Sequence, residues 1–493
     1  MIQVCTGTFI RITIIHQGSS IMKKLFAIVV MLSLAILPFS SAWAVGSGGL
    51  ENASFSAKQL GSGGAVTATP DEPAAISYNP AGIVDLPGIQ FQSNANFISL
   101  MTFKDNDTTG STRSSGTLAF VPTGYLTINP GRIFCDRLAF GIGSDSPFGL
   151  MNKYNSSDPA VHYTGWRNYL KMFTLKPTVA YKFTDKLSIG GGPVWYRIYD
   201  FGGIQGYPNN LITTLVGINT PDGQVRINTS GNRWGWQLGT LYKFNEKHRV
   251  GYYFRSPVTV NLKGRLKVEN SNIPPPPFLG GLDLHNFETG VHTKMNLPMS
   301  MTWAYAYQPT PKTHYEVDFI WTRWATMKRL YFVPDSSGNA MDDIILENIR
   351  MADKDWRDGY GLQLGASHQL TDKLTLRAGS WFYWTPVPKT HFTPSIPDAN
   401  HLVLSVGLSY KLSKYLVTDV AYYNSFYFKR RINNSIAEHE SLINSSIDGR
   451  YSSYSQAFTI SMTLKWDDIF PRAFGDKGQA VESPSIAMGS AGF

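Results

Sequence analysis

Few residues of this 493-residue chain are spaced for catalysis. It contains no Gly-x-Ser-x-Gly elbow, no His-Glu-x-x-His, no Walker loop and no Cys-x-x-Cys. His314 and His391 could serve a hydrolase built from scattered side chains, but ten histidines in a chain this long are unremarkable. The acidic pairs Asp342-Asp343 and Asp467-Asp468 suit either calcium or a solvated loop. Two cysteines, Cys5 and Cys135, cannot form a multi-cysteine metal site. No enzyme activity, cofactor or metal is therefore expected. The stretch that stands out is "SYNPAG", Ser77 to Gly82, whose chemistry is conformational. Pro80 lacks an N–H and restrains the residue before it, and the Asn79 side chain can hold a turn.

Lys23 and Lys24 precede an apolar run from Leu25 to Leu37, followed by Ala42-Trp43-Ala44. That is the charged, apolar and small-residue order of a secretory signal peptide, and the run is shorter than the roughly 20 residues of a spanning helix. Residues 1–44 are expected to be an upstream extension and a signal. Removing them takes Lys+Arg from 44 to 41 and leaves Asp+Glu at 35, a formal charge of +6. No basic block suggests nucleic acid. Aromatic residues make up 13% and charged residues 16% of the chain, the latter well below the about 25% of globular proteins. Beyond Ala44 no apolar stretch approaches the length of a spanning helix. An exported chain of this composition predicts a transmembrane β-barrel.

The periodicity agrees. In "SQAFTISMTLKW" Phe458, Ile460, Met462, Leu464 and Trp466 alternate with Ala457, Thr459, Ser461, Thr463 and Lys465. "HLVLSVGLSYK", "TLKPTVAYKF" and "WGWQLGTLYKF" alternate in the same way. About ten residues of strict alternation is the length of a tilted membrane-crossing strand. The small and polar partners suit a polar lumen. Short turns recur at Lys182–Leu187, Lys243–His248, Gln369–Leu374 and Lys411–Leu416. Longer segments run over Gly202–Trp234, Lys267–Met295, Pro334–Asp355, Thr385–Asn400 and Lys429–Tyr454. Short turns at one rim and long loops at the other are the asymmetry of an outer-membrane barrel, here of about 14 strands.

Residues 45–88 are rich in Gly, Ala and Ser and show no clean alternation. Non-strand backbone at membrane depth must be surrounded by protein or line a cavity. The expectation is an all-β fold: a transmembrane antiparallel barrel over 89–466, an N-terminal hatch over 45–88 within its lumen, and a tail over 467–493.

"ISYNPAGI" resembles the Asn-Pro-Ala motif in the hatch of FadL-type outer-membrane transporters of long-chain fatty acids and aromatic hydrocarbons. The similarity continues in order through "SPFGL", "NRWGWQLGTLYKFNEKHRVGYYFRSPV", "LPMSMTWAY", "WRDGYGLQLGASHQLTDKLTLRAG", "TPVP" and "SIPDANHLVLSVGLSY". It implies a 14-stranded barrel in the bacterial outer membrane, acting as a monomer. A hydrophobic molecule would be captured in an apolar lumen pocket and released sideways into the membrane. By the same resemblance Asn79, Pro80 and Ala81 would form the hatch gate, the alternative being a simple tight turn. Ser146, Pro147, Phe148 and Gly149 would kink a strand to open the wall, the alternative being an ordinary strand end.

A buried carboxylate head group needs a cation. The family's pocket cations do not align onto basic residues here, and one expected place falls near Asp200. Arg197, Arg350, Lys354 and Arg357 are the candidates nearby. A fatty acid and a neutral hydrocarbon both remain open as substrate. A surface barrel acting in adhesion or receptor-like contacts is the rival reading, with a porin for polar solutes third.

Overall fold

The structure is a computed structural model. It describes residues 48–52, 54–105, 111–131, 137–158, 161–207, 223–269, 285–339, 342–343, 346, 353–433 and 447–466. The leader expected over 1–44, both cysteines, Pro274–Pro277, Arg350, Asp467-Asp468 and the tail expected over 467–493 lie outside the described residues.

Fourteen antiparallel strands close into a barrel. They are β1 (Ile89–Asp105), β2 (Thr117–Ile128), β3 (Leu138–Asp145, resuming at Leu150–Lys153), β4 (Arg167–Lys182), β5 (Leu187–Tyr207) and β6 (Gly223–Lys243). Next come β7 (His248–Arg255 and Val258–Glu269), β8 (Phe287–Leu297 and Ser300–Thr310) and β9 (Thr313–Thr322, resuming at Val333–Pro334). The last are β10 (Gly359–Gln369), β11 (Leu374–Trp384), β12 (His401–Lys411), β13 (Leu416–Tyr427, resuming at Arg430–Ile432) and β14 (Gly449–Lys465). Each pairs with the next, and β1 pairs with β14 from Gln90–Lys465 to Asp105–Arg450, so no edge is left unpaired. Among the described residues no helix is long and apolar enough to cross a membrane.

The wall keeps period two throughout, but its sign reverses along the barrel. Near the short turns the large apolar side chains point outward: Trp236, Trp303, Phe319, Leu404, Val406 and Met462 are exposed. The inward partners there include Gln92, Asn94, Gln237, Asp318, Ser405 and Ser461, all buried. Toward the long loops the pattern inverts on part of the wall, whereas on β1 and β2 Met101, Phe103 and Leu118 stay exposed to the strand ends. On β7, Val258, Val260, Leu262, Leu266 and Val268 are buried, while Thr259, Asn261, Lys263, Arg265 and Lys267 alternate with them. A lipid-facing wall is apolar outside, and a wall standing in water is apolar inside; the reversal marks the passage from one to the other.

That reversal explains where the sequence reading falls short. The strands reach far into the segments expected as long loops, and β5 and β6 each span 21 residues. A ten-residue window judged by its large face stops where that face changes sides. The lumen is likewise polar only in its short-turn half. Its other half holds an apolar cluster with Leu170, Met172, Val194, Ile198, Val260, Leu262, Trp324 and Trp356.

Several strands are irregular where the two halves meet. β3 stops between Asp145 and Leu150. The register shifts between β4 and β5 at Lys171/Met172, and between β5 and β6 at Ile198/Phe201. Ser256-Pro257 interrupts β7 opposite the Pro298-Met299 break in β8. Each prolyl nitrogen lacks the N–H donor that a continuous ladder would need.

Candidate functional site

Residues 48–88 form no barrel strand. They contain helix α1 (Ala57–Gly61) and two 3-10 turns, Pro73–Ser77 and Pro80–Asp85. Their partners come from all round the wall. Ala57 N donates to Ser461 Oγ on β14 (2.8 Å), Gly63 N to Ser405 Oγ on β12 (3.0 Å) and Ala74 N to Gln92 Oε1 on β1 (2.8 Å). Thr67 N donates to Asp318 Oδ2 and Ala68 N to Glu316 Oε1, both on β9 (3.2 and 2.5 Å). The polar half of the lumen thus supplies acceptors to backbone that has no strand partner, which is what non-strand backbone at this depth requires.

Asn79 is fully buried at the start of the second 3-10 turn. Its Oδ1 accepts from Ala81 N (3.2 Å), capping the turn, and its Nδ2 donates to Thr67 O (2.7 Å) and to Thr240 O of β6 (3.0 Å). Asn79 and Pro80 lie against Gly239 and Gly190, where a Cβ would stand 2.2 Å from Asn79 Oδ1 and 2.5 Å from Pro80 O. The motif is thus a capped turn seated on two wall glycines.

Two residues earlier, the Ser77 hydroxyl touches the Asp145 carboxylate and accepts from Lys176 Nζ (3.1 Å). Asp145 is the last residue before the gap in β3. The gap residues Ser146–Gly149 meet the first described residues of the chain. Asn52 N donates to Pro147 O (2.9 Å), Asn52 Nδ2 to Ser146 O (3.0 Å) and Gly149 N to Leu50 O (2.9 Å), with Glu51 bridged to Phe148. Gly49 N donates to Asp398 Oδ2 (2.9 Å) in the stretch before β12. Gly49 has φ +60° between the Trp324 and Trp356 indoles, leaving no room for a side chain.

The four candidate cations do not converge. Arg197 alternates on β5 with inward Tyr196 and Ile198, so its side chain leaves by the outer face, between Trp195 and Tyr199. Lys354 is buried and Arg357 exposed in the connection between β9 and β10. Arg350 lies outside the described residues. The buried arginine that meets residues 48–52 is Arg255, at the end of the first half of β7. It pairs with Glu51 and places its guanidinium 4.5 Å from the Phe148 ring centre. Its signal in the sequence was a lone arginine in "YYFRSP", on the same face as Tyr253 and Gly251.

Glu51, Arg255, Tyr253, Gln363, Trp381 and Tyr383 are among the residues lining a cavity of about 90 Å³ between the N-terminal segment and the wall. That is smaller than the about 150 Å³ that accepts a benzene. A larger hollow of about 560 Å³, lined by Tyr305, Tyr307, Tyr315, Leu364 and Ala378, includes the exposed outer tyrosines and also the buried Glu316. Among the described residues no three His, Cys, Asp or Glu side chains gather as a metal site. His314 Nδ1 lies 2.5 Å from Ser367 Oγ, and Asp343 accepts from Ser336 Oγ (2.7 Å) and Ser337 N (2.8 Å).

A closed barrel with an apolar outer belt defines a multi-pass outer-membrane protein. The family model for the outer membrane protein transport proteins (OMPP1/FadL/TodX) matches residues 39–466, and the chain belongs to that family. It is 26% identical over 430 residues to a long-chain fatty acid transport protein of Escherichia coli O6:H1, covering 81% of this chain and 90% of that one. The crystal structure of a Pseudomonas aeruginosa FadL homologue superposes with a TM-score of 0.70 at 19% identity, covering 84% and 99% of the two chains. The Pseudomonas putida toluene transporter TodX gives 0.62 at 17% identity, covering 85% and 98%.

Proposed function

We propose that the protein carries long-chain fatty acids or hydrocarbons across the outer membrane by passive transport, with residues 45–88 as a hatch and the gap at Ser146–Gly149 as a lateral exit. The observation that carries this is the contact between the two. The hatch's first described residues lie in the gap, and behind them is an apolar half-lumen. A hydrophobic molecule gains about 0.8 kcal/mol per CH₂ on leaving water, so an exit into lipid is downhill where an aqueous exit is not. Asn79, Pro80 and Ala81 hold the hatch against β6 and act as its gate. The relatives named for fatty acid and toluene transport support the substrate class.

The test is uptake of oleate and of toluene by cells lacking their own carriers, with and without this protein. Uptake of neither above the empty cells would end the transport reading. Deleting Asn79–Ala81 should abolish uptake while the barrel stays folded and heat-modifiable; unchanged uptake would remove the gate.

A further inference from the structure

The outer face of β6 to β8 carries a charged patch that takes no part in the transport proposed above. Below it the outward side chains are aromatic. Phe173 packs on Trp195 (5.8 Å between ring centres), Trp195 on Trp234 (6.4 Å) and Trp236 on Phe254 (4.7 Å). Such a girdle marks the edge of the apolar belt. The outward residues next beyond it are polar: Asn232 on β6, Thr259 and Asn261 on β7, and Asn296 on β8. Asn232 and Asn296 lie roughly ten residues beyond the short-turn aromatics Tyr242 and Tyr307, which is the length of one crossing. Outward positions from there on stand at head-group level or above, on the long-loop side that faces the cell's exterior.

Cations dominate those positions. They are Arg226 on β6, Lys263, Arg265 and Lys267 on β7, and Lys294 on β8, all exposed. Arg265 pairs with Glu288 (2.6 Å), Lys267 with Glu269 (2.9 Å), and His292 lies 3.5 Å from Asp335. Arg226, Lys263 and Lys294 have no ion-pair partner among the described residues. The register also sets like charges together. Arg226 is directly opposite Lys267, and Lys263, opposite His292, is the diagonal neighbour of Lys294. Like charges directly opposite destabilise a sheet, and diagonal neighbours stand only about 7–8 Å apart. At the same end of the barrel β1 and β2 expose Met101, Phe103 and Leu118 instead, so the charge belongs to one side of the wall.

We propose that this face of β6 to β8 is a binding site for the phosphorylated head group of an outer-leaflet glycolipid, with a phosphate held between Lys263 and Lys294. The patch is continuous with the lipid-facing wall. Acyl chains lying on the exposed Trp234, Trp236 and Trp303 would bring their head group to this level. A phosphate accepts charge-assisted hydrogen bonds from both ammonium groups and removes their mutual repulsion. Asn261, opposite Lys294, and Ser230, opposite Lys263, add uncharged groups suited to sugar hydroxyls.

The experiment titrates the detergent-extracted protein with lipid A bearing its phosphates, with its dephosphorylated form, with phosphatidylglycerol and with inorganic phosphate. Bound molecules are read by native mass spectrometry. Lipid A should bind at least about tenfold more tightly than its dephosphorylated form. Lys263→Gln combined with Lys294→Gln should lower that affinity about tenfold while the barrel stays heat-modifiable. Lys312→Gln combined with Lys373→Gln removes the same charge from exposed positions at the short turns and should leave the affinity unchanged. Equal loss in the two double variants, or equal binding of the dephosphorylated lipid, would overturn the site. Phosphatidylglycerol or inorganic phosphate binding as tightly as lipid A would overturn the glycolipid as its occupant.

Discussion

Lys176 Nζ lies 2.5 Å from Asp145 Oδ2, with both side chains buried in the wall. Thr174 Oγ1 donates to the other carboxylate oxygen (2.5 Å), and Ser77 of the N-terminal segment touches both charges. One ion pair thus ties the turn before Asn79 to the last residue before the gap in β3. Replacing one partner strands a buried charge, so Asp145→Asn should destabilise the fold by about 3–5 kcal/mol. Adding Lys176→Met should recover most of that loss, read as the denaturant midpoint of the refolded protein in detergent. A double variant no better than the single one would refute the coupling.

Asn79→Asp keeps the acceptor that caps Ala81 and removes the two donor bonds to Thr67 and Thr240. Losing those donors and burying an unpaired carboxylate in their place should cost about 3–5 kcal/mol. The cost should fall on the segment and not on the wall. Hydrogen exchange over residues 76–86 should rise while the strands keep their protection.

Asp85, at the end of the second 3-10 turn, is partly buried, yet contacts with Lys182 and Lys243 outweigh that burial and hold its carboxyl below the usual range. A depressed folded value means the contribution is present above the ordinary carboxylate pKa and lost as pH falls through the lower one. Acidification below about pH 4 should loosen residues 80–88 first. Asp85→Asn should flatten that acid limb in a pH series of hydrogen exchange. Glu72 has the opposite sign: burial raises its carboxyl, so its penalty appears as pH rises. Glu72→Gln should therefore remove the loss of stability that sets in as pH rises above the ordinary carboxylate value.

The reversal of the wall pattern predicts that one substitution has two costs. Val406→Arg, on the lipid face of β12, should destabilise the barrel by about 2–4 kcal/mol, whereas an arginine on the outer face near an interface costs about 0–1. Asn261→Arg, on the outer face of β7 beyond the lipid belt, belongs to the second group. Comparing the two variants' unfolding midpoints checks where the membrane ends on this barrel.

The barrel was legible because alternation is a local property, visible within ten residues of "HLVLSVGLSYK". The turn at Asn79 was legible for the same reason, through proline and the asparagine beside it. The upper halves of β5 to β8 were hidden because their apolar residues change faces, which a single-sided test counts as the end of a strand. Glu51 and Arg255 are 204 residues apart and meet only because β7 breaks where the N-terminal segment crosses the lumen. Arg197 looked suitable by position along the chain, but the strand's two-residue period turns it outward.

The pairing of β1 with β14 also fixes the order in which the molecule can be put together. The wall becomes a ring only when Gly449–Lys465 meets Ile89–Asp105, and residues 48–88 hold partners on both sides of that closure, Gln92 on the first strand and Ser461 on the last. A ring already shut would have to be entered through a lumen its own side chains fill. The N-terminal segment is therefore expected to be gathered in while the sheet is still open, with the last strand closing around it. Assembly therefore ends with the seam, and a chain cut short before β14 would lose the enclosure of its beginning along with its end.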